Sequence, residues 1–140
     1  MNKKTIPKTK KKPSRSKLVK KLDTIFSQYI RLREADNIGF VECFTCGKKD
    51  HWKKLQNGHF QSRRHYATRW DERNCQVQCV GCNMFKAGEQ FLFAKALDNK
   101  YYDGISDELH ITAQSIVKFS NLDIELLITK YKDMVKELNK

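Results

Sequence analysis

Four cysteines fall into two C-x-x-C pairs, Cys43/Cys46 in "CFTCG" and Cys79/Cys82 in "CVGCNMFKAG". Each pair can turn two sulfurs onto one ion, and four thiolates suit a closed, tetrahedral, structural Zn²⁺ site. Thirty-two residues separate the pairs, whereas a plain zinc ribbon uses about 15–20. Additional structure must therefore be built into the insert. A competing set, Cys43, Cys46 and His51, begins a C-x₂-C-x₄-H-x₄-C knuckle, but its fourth position is Gln56. The four-cysteine set is the better reading. The fifth cysteine, Cys75, reads as a strand side chain near the site.

The insert and the residues after it hold a second kind of chemistry. Hydrolysis of a phosphodiester needs a base for water, a divalent ion for the scissile phosphate and cations for the backbone. His59 in "NGHF" can be the base. Asn83, directly behind the second cysteine pair, can offer a carbonyl oxygen to a hard ion such as Mg²⁺ or Mn²⁺. Arg63, Arg64, Arg69, Arg73 and Lys86 can hold phosphates. His65 is a second candidate base, although "RRHY" reads better as a phosphate-contacting loop.

The order His59, Asn74, Asn83 resembles the HNH, or ββα-metal, nucleases in their H-N-N form. That resemblance implies that His59 activates water, that Asn74 orients it through its loop, and that Asn83 binds the catalytic ion. "CFTCG", "NGHF", "RWDERNCQVQC" and "CNMFKAG", in this order, are similar to the NinG/Rap family of phage recombination proteins. The likeness covers about residues 17–138. It implies a zinc-containing, structure-selective DNA endonuclease, a hydrolase acting on Holliday junctions and D-loops. One departure stands out. Many HNH enzymes have an ion-binding Asp directly before the catalytic His, and here that residue is Gly58. Asn57, Asp71 and Glu72 are candidates for the missing ligand, with Asp71 the first choice among carboxylates.

The net charge is +12, and residues 1–20 carry nine Lys/Arg and no acid, leaving +3 for the rest. Residues 1–15 read as a disordered basic arm whose Lys10, Lys11 and Lys12 add sequence-independent, salt-sensitive affinity for nucleic acid. No long apolar run and no secretory signal occur. The reading is a cytoplasmic, phage-encoded protein in its host, without membrane contact.

These residues need elements to position them. Apolar residues at steps of three and four predict a helix over 16–35. Short strands are expected around "VECFTCG", "LQNGHF" and "CQVQC". One helix should start near Val80 and run to "DNKYYDG", with Gly88 weakening its middle. A further helix is expected over 106–118. Ser120 and Asp123 form a capping-box pattern that opens a final helix. Trp52 and Trp70 read as core. The expected fold is α+β, one domain over 16–140, with a small zinc-bound ββα-metal core (40–98) flanked by helices at 16–36 and 106–139. The partners would be branched double-stranded DNA, a second copy of the chain through the C-terminal helices, and phage or host recombination proteins. Two alternatives stand beside this reading: a non-catalytic zinc module that binds nucleic acid, and an HNH endonuclease that reads sequence.

Overall fold

A computed structural model describes residues 4–7 and 11–140, so Lys10 lies outside the described residues. Helix α1 spans Arg15–Leu32, started by Ser14, whose side chain accepts from the Lys17 N–H. Its Leu18, Leu22, Phe26 and Ile30 recur every fourth residue and are all buried, which places them on one stripe. Helix α5 spans Asn121–Leu138 and opens on a full capping box between Ser120 and Asp123. Its Ile124, Ile128 and Tyr131 pack with the α1 stripe, Trp70 and Cys75 into the largest core. The Phe26 and Tyr131 rings meet edge to face at 4.9 Å. The α5 stripe is therefore spent inside the chain. Leu122 and Leu126, on the same helix, remain exposed.

Between these helices lie two antiparallel hairpins. Strands β1 (Phe40–Glu42) and β2 (Lys49–His51) pair in one. Strands β3 (Gln56–His59) and β4 (Cys75–Gln78) pair in the other, with His59 opposite Cys75. The Phe44 N–H donates to the Val77 carbonyl at 2.8 Å and ties the hairpins together. Val41, Leu55 and Val77 fill the space between them. The β3–β4 connection contains a short helix, α2 (Tyr66–Arg69), within the stretch read from sequence as a loop.

Past β4 the chain departs from expectation. A π-helical turn spans Gly81–Phe85, and a separate helix, α3, spans Gln90–Lys100. The Lys86 N–H bonds to the Gly81 carbonyl five residues back, which widens the turn. Ala87, Gly88 and Glu89 then have φ of 49°, 84° and 52°. Three successive left-handed residues cannot continue an α-helix. Gln78 Nε2 donates to the Gly88 carbonyl at 2.9 Å and holds the break in place. Gly88 thus ends one helical piece; it is not the soft middle of a longer helix.

Helix α4 spans Ile105–Ala113 and ends five residues earlier than its pattern predicts. The chain leaves the helix so that Phe119 can pack on Trp70, ring to ring at 5.2 Å. Phe93, Leu97, Ile105 and Leu109 from α3 and α4 form a separate small core. The overall class is α+β, as expected. No helix among the described residues is long and apolar enough to cross a membrane.

Candidate functional site

The first centre is built by two tight turns. Cys43 follows β1, and the Gly47 N–H bonds back to its carbonyl at 2.9 Å, with Gly47 at φ 77°. Cys79 follows β4, and its sulfur accepts from the Cys82 N–H at 3.4 Å. The sulfurs of Cys43, Cys46, Cys79 and Cys82 all lie within 4.8 Å of one another. The Cys46 and Cys79 sulfurs are 3.8 Å apart. Zn–S bonds of about 2.3 Å in tetrahedral array put sulfurs roughly 3.8 Å apart, so the residues present fit that ion. Burial opposes ionisation of Cys43. Hydrogen bonds from Thr45 and from the backbone of Cys46 and Cys79 outweigh it and bring the thiol down to about 6. His51 is not in this cluster; its Nδ1 accepts from the Lys53 N–H. Cys75 belongs to the main core, where burial pushes its thiol up.

Beside this centre lies a cleft of about 610 Å³. Strand β3 supplies Asn57 and His59 on one face, the loop after β3 supplies Arg63, and the π-turn supplies Asn83. His59 Nε2 is 3.1 Å from the Arg69 carbonyl. A carbonyl only accepts, so Nε2 carries the proton and Nδ1 keeps its lone pair. Burial, reinforced by the charges of Arg63 and Arg69, holds the His59 pKa down at about 4. The imidazole is therefore neutral at pH 7.

Asn74 fixes the loop that makes this contact. It is fully buried. Its Nδ2 donates to the carbonyls of Gln61 (3.1 Å) and Thr68 (3.0 Å), and its Oδ1 accepts from the Gln61 N–H at 2.7 Å. One side chain thus spans both ends of the segment that leads to Arg69. Asn83 Nδ2 donates to Gln56 Oε1 at 2.8 Å, which commits the nitrogen and leaves the carbonyl oxygen to the cleft. Asn57 Oδ1 is buried without a hydrogen-bond partner.

The remaining sequence candidates scatter. Asp71 does not line the cleft; it holds the Arg73 guanidinium at 3.0 Å. As an ion ligand beside Asn83 it is misplaced, because its carboxylate is turned to Arg73. Arg69 is likewise occupied, since Asp23 of α1 takes both its Nε and its Nη2. Lys86 pairs with Glu89 at 3.7 Å and lies off the cleft. The widened π-turn removes the one-turn relation to Asn83 that a regular helix would give it. Arg64, Lys11 and Lys12 are exposed and away from the cleft. His65 caps α2.

Sequence reading missed the contribution of α1. Asp23, Ser27 and Arg31 line the same cleft. They stand four residues apart, a stripe on one face of the helix. That spacing is visible in the sequence, but it looks like the ordinary polar side of an amphipathic helix.

Fold and site define an α+β protein with a four-cysteine centre, able to hold zinc, next to a histidine–asparagine cleft. The chain belongs to the NinG family: the family model described as Bacteriophage Lambda NinG protein matches residues 2–140. No curated protein and no solved structure gives a match.

Proposed function

We propose that this NinG-family chain is an HNH-type DNA endonuclease that cuts branched recombination intermediates, Holliday junctions and D-loops, by metal-assisted phosphodiester hydrolysis. The observation that carries the reading is the meeting of a neutral His59, with Nδ1 free, and the Asn83 carbonyl in one cleft beside the cysteine centre. The β3–β4–π-turn order, with Asn74 anchoring the intervening loop, supports a ββα-metal core.

His59 Nδ1 takes the proton of the attacking water. The Arg69 carbonyl keeps the imidazole in the tautomer that can do so, and Asn74 keeps that carbonyl in place. Asn83 would hold a catalytic Mg²⁺ or Mn²⁺, and the orphan oxygen of Asn57 fits the same hard-cation chemistry. Such an ion stabilises the charge building on phosphate and leaving oxygen. Both amide donors are neutral, so ion affinity should rise when a DNA phosphate joins them. The four cysteines would hold a structural zinc that fixes the π-turn against β4. The preference for branched DNA comes from the family resemblance, and a symmetric cut of a four-way junction calls for a homodimer.

A second reading, a zinc-stabilised module that binds nucleic acid without cutting it, is favoured by the lack of an uncommitted carboxylate on the cleft among the described residues. Incubation of the zinc-loaded protein with a labelled four-way junction and its linear duplex, in Mg²⁺, Mn²⁺ or no added divalent ion, separates the two. Metal-dependent cutting of the junction supports the enzyme. Tight binding without cutting in any ion supports the module.

A further inference from the structure

Arg31 sits in the cleft wall on α1, half-buried, with its guanidinium held from three sides. Nε donates to the Ser27 carbonyl and to Ser27 Oγ, each at 3.2 Å. Nη1 donates to the Trp52 carbonyl at 3.2 Å. The guanidinium carbon lies 5.0 Å from the Trp52 ring centroid. All these partners are neutral, and none of the ion pairs among the described residues includes Arg31 or Arg63. The carboxylate nearest in the stripe, Asp23, is spent on Arg69 and on the Trp70 indole N–H, 2.9 Å away. Burial lowers the Arg31 pKa, the sign of a charge that the fold does not compensate.

A partly buried cation without a counter-ion is costly to keep. Here it is also pre-oriented: Nε and Nη1 are tied, and Nη2 has no protein partner among the described residues. A fixed guanidinium with a free edge is the preferred protein receptor for a phosphate. Arg63 adds a second unpaired guanidinium on the same cleft.

We infer that Arg31 of α1 is a phosphate-binding residue of the cleft, gripping the DNA backbone next to the bond that His59 faces, with Arg63 as the second cation. The first helix is then part of the active surface and not only a packing partner of α5. This rests on the nuclease reading for the identity of the polyanion.

The test measures duplex binding by fluorescence anisotropy without added divalent ion, from 50 to 300 mM KCl, for wild type, Arg31→Gln and Arg31→Met. One lost phosphate contact should reduce the salt slope by about 0.9. It should also weaken binding about tenfold, with Arg31→Lys keeping the wild-type slope. The methionine variant retains an apolar stem over Trp52 and keeps the test open if the glutamine variant does not fold. Slopes and affinities equal to wild type in the folded variants overturn the inference, even if the wild type cuts junctions. A reduced slope in a protein that never cuts leaves the phosphate site standing and removes the nuclease reading instead.

Discussion

A side chain at position 58 has no room. A Cβ built on Gly58 would land on Gln78 Oε1, with the rest of the Gln78 amide close behind. Gln78 is buried and anchored by Thr45 Oγ1 at 3.1 Å and by the Gly88 carbonyl. The space that a side chain at position 58 would need is thus filled by a glutamine that braces the break after the π-turn. Next to it, His59 carries a pH signature. Its folded pKa of about 4 lies below the ordinary histidine value of 6.5, so the folded state prefers the neutral ring. Stability from this residue is intact above pH 6.5 and is lost as pH falls from there towards 4, by up to about 3 kcal/mol. We expect the difference in thermal midpoint between wild type and His59→Gln to move in favour of the variant over that window. A difference that stays constant from pH 7 to 4.5 would show that the ring is not held neutral. At this scale the sequence was informative about which residues meet: the four cysteine sulfurs cluster, His59 and Asn83 line one cleft, and Asn74 braces the loop that leads to Arg69. It was silent on Asp23 taking Arg69 and on Asp71 turning to Arg73, because ion pairing depends on which loops meet.

Among the elements, the segment from Cys79 to Lys100 differs most from its pattern. Apolar spacing there fits one helix, and local propensity cannot register a Gln78 side chain reaching in from a strand. The consequence has a sign. If Gly88 sat mid-helix, Gly88→Ala would stabilise the protein by about 1 kcal/mol. At φ 84°, with Gln90 Nε2 only 3.0 Å from the new Cβ, the same change should destabilise it by about 1–2 kcal/mol. Chemical denaturation of the two proteins decides between them. The α1 and α5 stripes, by contrast, were readable, because four-residue spacing of large apolar side chains has one compact solution. Their mutual packing was not, since nothing in either stripe names its partner.

At the level of the molecule, three modest cores share the work. The smallest, between the hairpins, adjoins the four cysteines and contains only Val41, Leu55 and Val77 as fully buried members. So few apolar groups cannot hold two short hairpins together unaided. A metal that binds only the folded state adds its binding free energy to stability. Purified protein should carry one zinc per chain. Cys79→Ser should lower the metal content and the thermal midpoint together, and unchanged midpoints in metal-free protein would remove zinc from the structural account.

We propose that a neutral histidine, oriented through an asparagine-braced loop, activates water in the cleft. Single-turnover cleavage of a labelled four-way junction in Mg²⁺ by wild type and by His59→Ala tests it most directly, once the variant is shown to keep its zinc, its fold and its junction affinity. His59→Ala should lower the rate by at least about 100-fold, the usual contribution of a positioned general base, with binding unchanged. Cutting by His59→Ala at the wild-type rate would contradict it.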